Sequence, residues 1–245
     1  AITCALFGAL KAGDVLVSAV GAPYDTLLGV VGAVDKGHGS LKDYGVEYRQ
    51  VELADDAPDR AGLAQAVRDP RVKAVLIQRS KGYATRASLS VEEIGELCAI
   101  VREHNPTAAI LGDTCYGEFV EEREPTHVGA DLVVGSLIKN PGGGLAPTGG
   151  YIAGRRDLVE GAAMRLTCPG IGRECGSTLG SSRLLYQGLF LAPHTVAQAV
   201  KTAVFAARLM ELLGYETEPK SDEVRHDIIQ MIHLKNPQAV KRFCK

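Results

Sequence analysis

GADLVVGSLIKNPGGGLAPTGGYIAGR, residues 129–155, carries a lysine at the end of an apolar run and a glycine-rich segment after it. The run before Lys139 is apolar enough for a strand that is buried on both faces, so the lysine should emerge at the carboxyl end of that strand. Ligands bind at this edge in open α/β sheets. Only ten residues, 139–148, separate the run from the next apolar segment. This is too few for a helical crossover and predicts an antiparallel neighbour.

Lys139 has four possible interpretations: part of a phosphate-binding P-loop, part of a dinucleotide-binding fingerprint, a solvated surface lysine, or a nucleophile that attacks an aldehyde. A phosphate-binding P-loop places its lysine after the glycines and before a helix, whereas Lys139 precedes Gly142 and a strand follows. A dinucleotide-binding fingerprint also needs a helix here, so both are rejected. A solvated surface lysine is the ordinary alternative. In a desolvated pocket, however, Lys139 would have a depressed pKa and could attack an aldehyde, while the glycines would let the backbone approach a flat ligand.

Strands alternate with helices along the first part of the chain. β-branched runs predict six strands, at 15–20, 47–53, 72–80, 108–113, 131–138 and 149–155. Helical spacing predicts helices at 24–34, 59–69 and 91–105. The third helix has a capping box of Ser90 and Glu93. This alternation predicts an α/β protein with a mostly parallel sheet flanked by helices. Beyond it, Asp157 is a candidate N-cap, and Pro193 should divide 177–213 into two helices.

The composition is that of an ordinary globular protein, with 46% apolar and 23% charged residues in a chain of 245. A formal net charge of −2 gives no electrostatic argument for nucleic acid or an acidic membrane surface. No apolar run reaches the roughly 18 residues that a membrane-spanning helix needs. The six cysteines form no C-x-x-C pair and no zinc-ligand spacing. This favours free thiols in a reducing compartment such as the cytoplasm, and no metal site.

Three further residues are candidates for the same sheet edge as Lys139. Asp113 ends another apolar strand, and a buried carboxylate there needs a positive partner. A protonated pyridine nitrogen is one such partner, because pyridoxal phosphate enzymes pair a lysine Schiff base with an aspartate on the ring nitrogen. A helix cap or a metal ligand is the alternative. Ser136 could bind a phosphate oxygen or be a satisfied strand serine. Tyr24 could lie flat against a pyridine ring or pack in the core.

The order Tyr24, Asp113, Ser136, Lys139 resembles the fold-type I pyridoxal phosphate enzymes, in the cystathionine and methionine lyase group. Four segments look more closely like the methionine γ-lyase-related branch known as the aluminum resistance protein family, which is cystathionine β-lyase-like. These segments are GAPYDTL, GDTCYGEFVE, GSLIKNPGGGLAPTGGYIAGR and PGIGRECGSTLG. The likeness covers nearly the whole chain, and the lysine segment is highly specific.

The resemblance implies a role for each of these residues. Lys139 would form the Schiff base with pyridoxal 5'-phosphate, and Asp113 would bind the ring nitrogen. Tyr24 would stack on the ring, and Ser136 would bind the phosphate. Arg225 is the candidate in this chain for the residue that holds a substrate carboxylate.

The resemblance also implies a fold-type I architecture with a seven-stranded, mostly parallel sheet. The cofactor-binding large domain would span 1–165, interdomain helices 166–214, and the beginning of a smaller C-terminal α+β domain 215–245. Two features depart from the family pattern. Ile138 stands where lyases of the wider group usually have threonine or serine. The phosphate cup is expected immediately before Ala1, so this chain alone should bind the cofactor weakly.

The implied activity is carbon–sulfur bond cleavage in a sulfur-containing amino acid, by α,β- or α,γ-elimination. Lys139, once released from the cofactor, would be the base that removes the Cα proton. Aminotransferase or racemase chemistry on the same cofactor is left open. So is a non-catalytic stress-resistance protein that kept the fold. The resemblance further implies a homodimer or homotetramer with shared active sites, and no nucleic-acid or membrane partner.

Overall fold

A computed structural model describes residues 1–82, 84, 86–168, 170–175 and 180–245. Its strands are β1 (Val15–Ser18), β2 (Glu47–Gln50), β3 (Leu53–Ala54), β4 (Ala57–Pro58), β5 (Val72–Gln78), β6 (Ala109–Asp113), β7 (Leu132–Ser136), β8 (Gly150–Gly154), β9 (Glu216–Glu218) and β10 (Met231–His233). Its α-helices are α1 (Ile2–Ala9), α2 (Asp25–Val31), α3 (Arg60–Ala66), α4 (Val91–His104), α5 (Arg156–Ala163), α6 (Ser182–Leu212) and α7 (Pro237–Phe243).

The central sheet has the strand order β2-β1-β5-β6-β7-β8. All neighbours are parallel except β8, which pairs antiparallel with β7. The six predicted strands and the antiparallel partner of the lysine strand are therefore confirmed, as is the mostly parallel α/β architecture. Within the described ranges this sheet has six strands, whereas the resemblance implied seven. Two short hairpins, β3-β4 and β9-β10, lie outside it.

Alternate side chains of the sheet pack on opposite faces, as a strand period of two requires. Val15 and Val17 of β1 belong to a buried cluster that includes α3 and α4. Leu16, between them, belongs to a second cluster formed with α1, α2 and α5. The helices therefore cover both faces of the sheet. The edge at the carboxyl ends of β5, β6 and β7 remains available for a functional site.

The N-terminus of α4 is fixed by the capping box that the sequence predicts. The Ser90 side chain accepts a hydrogen bond from the backbone N–H of Glu93, and the Glu93 carboxylate accepts from the Ser90 backbone. The Glu121 carboxylate also accepts the N–H of Val91, at 3.2 Å. Three side chains thus satisfy amide groups that a helix start leaves unpaired.

Two predictions about helix boundaries are wrong. Asp157 is not the N-cap of α5, because the N-cap is Arg155, two residues earlier, and Asp157 lies in the first turn. The Asp157 carboxylate instead accepts the Arg155 guanidinium, with Nε at 2.7 Å. Pro193 lies inside α6, which is continuous from Ser182 to Leu212. Ala192 and Val196, on either side of the proline, are buried. Packing on both sides holds the helix together despite the missing N–H.

Among the residues described, no helix combines the length and the hydropathy needed to cross a bilayer, and this includes the 31 residues of α6.

Candidate active site

A small cavity of about 90 Å³ lies at the carboxyl edge of the sheet. Three of the residues predicted from the sequence line it, namely Tyr24, Asp113 and Lys139. Asp113 ends β6 directly opposite Gln78, the last residue of β5, and Lys139 follows β7 by three positions. Because parallel neighbours present their carboxyl ends at the same edge, these side chains meet although they are far apart in the sequence.

Asp113 is a buried carboxylate, only 4% exposed. Burial raises its pKa, while the backbone N–H of Cys115, 3.2 Å from Oδ1, and the positive charge of Lys139 lower it. Burial is the larger effect, so the ionised carboxylate is poorly compensated by the surrounding chain. A cation that entered the cavity would stabilise it.

The Lys139 ammonium lies over the ring of Tyr116, 4.1 Å from the ring centroid. Burial lowers its pKa, but the interactions with Cys115 and Tyr116 together outweigh burial, and the net direction is upward. The prediction of a depressed pKa is therefore wrong for the chain by itself. The amine is only half-buried and faces an aromatic ring that stabilises its charged form.

Tyr24 occupies the N-cap position of α2, and a glutamine fixes it there. Its backbone N–H donates to Oε1 of Gln78 at 3.1 Å, while Nε2 of Gln78 donates to the carbonyl of Ser80 at 2.9 Å. Burial has the largest effect and, with the negative charge of Asp113 and the nearby Cys115, raises the pKa of Tyr24 to about 12. Its ring is thus neutral and held against one wall of the cavity.

Asn140 and Tyr116 were not found from the sequence. The Asn140 side chain donates to the carbonyls of Tyr116 (3.0 Å) and Glu118 (2.9 Å), which joins the loop after Asp113 to the turn after Lys139. Tyr116 has a positive φ of 72°, a conformation that a tyrosine adopts only when its surroundings impose it. Gln78 could have been found, because it lies two residues before the end of the predicted strand at 72–80.

Ser136 and Arg225 do not line the cavity within the described part of the chain. Ser136 ends β7 opposite Gly150, and its carbonyl accepts the N–H of Lys139 at 3.3 Å. Arg225 lies in the connection between β9 and β10 and is buried, with Nη2 donating to Gln230 at 2.6 Å. Burial lowers its pKa. The roles of both residues stay predictions.

The glycines after Lys139 pack against α6. Gly143 has a φ of 55°, and a Cβ at this position would overlap the carbonyl of Gly188 in α6. A Cβ on Gly188 would in turn overlap the carbonyl of Gly142. At these positions glycine therefore serves a close contact between two backbones. The approach of the glycine segment to a flat ligand stays a prediction.

Comparison with known proteins places this geometry in a family. A family model described as Methionine gamma-lyase matches residues 1–245. The protein YnbB of Bacillus subtilis (strain 168) is 49% identical over 246 residues, which cover 100% of this chain and 58% of YnbB. A carbon-sulfur lyase involved in aluminum resistance from Clostridium novyi NT is 47% identical and superposes with a TM-score of 0.95, covering 100% of this chain and 59% of that one.

A methionine gamma lyase from Micromonospora echinospora is 23% identical, with a TM-score of 0.59 over 84% of this chain and 49% of its own, and shows a shared fold. The chain thus spans less than two thirds of the length of these relatives. The resemblance stated from the sequence is confirmed, since the matching model covers the entire sequence. The chain belongs to the methionine gamma-lyase family.

Proposed function

We propose that this chain carries the cofactor-binding part of a pyridoxal 5'-phosphate-dependent carbon–sulfur lyase. The observation that carries the proposal is the meeting of Asp113, Lys139 and Tyr24 at one cavity on the carboxyl edge of the sheet. A buried acid, a primary amine and a neutral aromatic ring are the three groups that a pyridine aldehyde needs from a protein. Membership of a carbon–sulfur lyase family supports the reaction class.

The residues present fit this cofactor. Asp113 is buried and its pKa is raised by burial, so a cationic ring nitrogen would give its carboxylate the compensating charge. Lys139 offers its amine to the aldehyde, and the Tyr24 ring offers a flat surface for the pyridine. Ser136, at the end of the lysine strand, is the proposed phosphate ligand in this chain.

When bound, pyridoxal phosphate supplies an electron sink that acidifies the Cα–H bond of an amino acid. In this proposal Lys139 moves the proton at Cα, because its amine is the basic group next to the cofactor aldehyde. The amine must be neutral for this, so Lys139 would have to give up the proton that its raised pKa favours in the chain by itself. Asp113 holds positive charge on the ring nitrogen throughout.

The proposed substrate is an amino acid with a sulfur leaving group on Cβ or Cγ, and Arg225 is the candidate in this chain for binding its carboxylate. A homodimer or homotetramer with shared active sites, in the cytoplasm, belongs to the same proposal. Exposed aromatic side chains on α6 support the burial of this helix against another subunit. Tyr186, Phe190 and Phe205 are 74%, 84% and 68% exposed, which is unusual for aromatic residues.

The test is to find where the cofactor attaches. Purified protein is incubated with pyridoxal phosphate, reduced with borohydride and mapped by peptide mass spectrometry. We expect the label on Lys139 and no label in Lys139→Arg, which keeps the charge but cannot form the bond. Lys81→Arg is the matched control, since Lys81 is a buried lysine that follows β5, two strands away from β7 in the same sheet. Label on Lys81, or label retained in Lys139→Arg, would contradict the proposal.

The same preparation tests the reaction class. Incubation with cystathionine, cysteine or methionine should release a keto acid and a thiol together, and Lys139→Arg should release neither. Keto acid that forms only when a second keto acid is supplied would identify an aminotransferase instead. Loss of stereochemistry at Cα without release of product would identify a racemase.

A further inference from the structure

Glu118 is a buried acid next to the candidate site for which the proposed mechanism has no use. It is 3% exposed and lies in the loop that follows Asp113. Its Oε1 is 2.9 Å from the hydroxyl of Tyr151, and its Oε2 is buried without a hydrogen-bond partner in the described structure. The space exists because residue 135 is glycine: a Cβ there would overlap both the Glu118 carboxyl and the Tyr151 ring.

Oxygen atoms form a chain from this carboxyl group to the backbone of β7. The Tyr151 hydroxyl, 2.9 Å from Glu118, is also 2.6 Å from Oγ1 of Thr114. Oγ1 of Thr114 is 3.0 Å from the carbonyl oxygen of Val134. A longer contact of 3.4 Å joins Thr114 to Glu118 directly. Each of the three shorter contacts is within hydrogen-bond distance and needs one proton between its two oxygens.

The hydroxyl groups supply too few protons for these contacts. Tyr151 has one proton and keeps it, because burial and the charge of Glu118 raise its pKa well above the ordinary value. Thr114 has one, and the Val134 carbonyl only accepts. If Glu118 is ionised, Tyr151 must donate to it, and Thr114 can then serve either Tyr151 or Val134. One contact is left without a proton.

A proton on Glu118 completes the chain. Glu118 then donates to Tyr151, Tyr151 to Thr114, and Thr114 to the carbonyl of Val134. All three contacts become hydrogen bonds with the donors pointing in one direction. We propose that Glu118 is held as a neutral carboxylic acid that donates to Tyr151, and that this proton makes it a positioning residue for the loop between Asp113 and Lys139.

The charges around Glu118 agree with the proton count. Burial has the largest effect on the pKa of Glu118, and the negative charges of Glu124 and Asp113 act in the same direction. Against the hydrogen bonds from its own backbone N–H and from Tyr151, these effects together raise the pKa to about 7. Cys115 faces the same group, and its thiol is kept neutral by burial, which raises its pKa to about 12. A second negative charge beside Asp113 would add repulsion, whereas a neutral acid adds none.

The loop that this proton holds carries the candidate site. Its carbonyls at Tyr116 and Glu118 accept the Asn140 side chain, and Tyr116 lies under the Lys139 ammonium. Ionisation of Glu118 removes one hydrogen bond from the anchor of this loop. The proton is a property of the folded chain alone, whereas its effect on cofactor binding rests on the proposed function.

Infrared spectroscopy of the protein without added cofactor tests the proton directly. At pH 6 the wild type should show the carbonyl stretch of a buried protonated carboxyl group, and this band should vanish by pH 9. Glu118→Gln should lack the band, whereas the exposed control Glu96→Gln should keep it. Tyr151→Phe should keep the band but shift it, because the acid loses its acceptor while Glu118 itself is unchanged. The proposal is overturned if the wild type lacks the band at pH 6. It is also overturned if neither Glu118→Gln nor Tyr151→Phe alters the band.

Cofactor affinity tests the positioning role. The dissociation constant for pyridoxal phosphate should rise between pH 6 and pH 9 in the wild type. This rise should be roughly fivefold larger than in Glu118→Gln, which is the change expected for one lost hydrogen bond. Gln keeps a neutral donor at the same place, so its affinity at pH 6 should match the wild type. Equal pH dependence in both proteins overturns the positioning role. If the infrared results hold and neither protein binds the cofactor, the proposed function fails and the proton on Glu118 stands.

Discussion

Asp113 and Glu118 are two buried acids on one loop, and the structure gives them opposite requirements. Asp113 lines the cavity, where a cation can reach it, and its charge is the useful state. The two hydroxyl groups beside Glu118 have one proton too few for their contacts, so its neutral form is the one that fits. Under the two proposals, similar side chains a few residues apart would differ in protonation once a cation reaches Asp113, because their neighbours differ, as pairs of carboxyl groups in enzymes often do.

Replacing Asp113 tests the first of these requirements. Asp113→Asn should still bind pyridoxal phosphate, but its turnover should fall by about 2–4 kcal/mol in activation free energy, because the ring nitrogen loses its charged partner in a dry site. The measurement is kcat together with the cofactor dissociation constant. Asp131→Asn, at the opposite end of the sheet, is the control and should affect stability only. Near-normal turnover in Asp113→Asn would mean that the ring nitrogen needs no charged partner.

Residues at strand ends could be predicted from the sequence, and residues in loops could not. Asp113 and Lys139 were found because an apolar run ends beside each, and parallel strands bring such ends together. Three other residues lie where the sequence shows no hydrophobic periodicity, namely Glu118, Tyr116 and Asn140. Their importance depends on how the loop folds back on itself, with Tyr116 at a positive φ. The pKa of Lys139 was predicted wrongly for the same reason, since Tyr116 was not known to lie beneath it.

Among the secondary structure elements, α6 has the greatest influence on the segment that follows Lys139. Its backbone at Gly188 lies directly on the turn formed by Gly142 and Gly143. The Thr195 hydroxyl adds a 3.4 Å contact to the carbonyl of Gly143. The helix therefore limits where the turn, and with it Lys139, can move.

A single methyl group on α6 should disturb this contact. Gly188→Ala places a Cβ against the carbonyl of Gly142, and overpacking of this kind costs about 1–3 kcal/mol of folding stability. We also expect weaker cofactor binding, because the turn after Lys139 must shift. Gly29→Ala, in α2, is the matched control: its Cβ would meet only the flexible side chain of Lys36. The readouts are chemical denaturation and a cofactor titration, and equal effects in the two variants would contradict the expectation.

Element types were more predictable than element boundaries. The capping box of α4 was correct because it depends on residues three apart in the sequence. The end of a helix at Pro193 was wrong because tertiary packing on both sides of the proline overrides a local preference. Asp157 failed as an N-cap because Arg155 binds its carboxylate. The failure at Pro193 comes from tertiary packing, and the failure at Asp157 from a side chain two positions away.

At the scale of the whole molecule, the sheet organises two apolar layers around a row of ionisable groups at one edge. Strand order and helix coverage were accessible from the sequence, because alternating β and helical patterns constrain the topology strongly. The contacts between that edge and the C-terminal segment could not be predicted from the sequence. For example, the Ser80 hydroxyl donates to Asp227, 147 positions away, at 2.7 Å. No local pattern connects such positions.

The pH dependence of the free energy of unfolding should reflect the protonation of the buried acids. The pKa of Glu118 is about 7 in the folded chain against an ordinary 4.5, so between these values the folded state holds a proton that the unfolded state has lost. The free energy of unfolding should therefore fall by about 3 kcal/mol as the pH rises from 4.5 to 7, and this contribution is constant above that range.

The measurement is urea unfolding at pH 5 and pH 8. Asp113 changes stability in the same direction, since burial raises its pKa as well. The comparison is therefore between the wild type and Glu118→Gln, in which only the Glu118 contribution is absent. Wild type should lose more stability than the variant on going to pH 8. Parallel losses in the two proteins would show that Glu118 is ionised in both states.

Asn140 has a further consequence, which concerns how the protein ages. Asparagine side chains are slowly lost when the backbone nitrogen of the next residue attacks the side-chain amide and closes a ring. The next residue here is Pro141, whose nitrogen carries no hydrogen and cannot complete that attack. Asn140 is also 5% exposed. The amide that joins the two loops of the site is thus protected by its own neighbour from the commonest route of spontaneous chemical damage to asparagine, and the other two asparagines of the chain, Asn105 and Asn236, precede prolines as well.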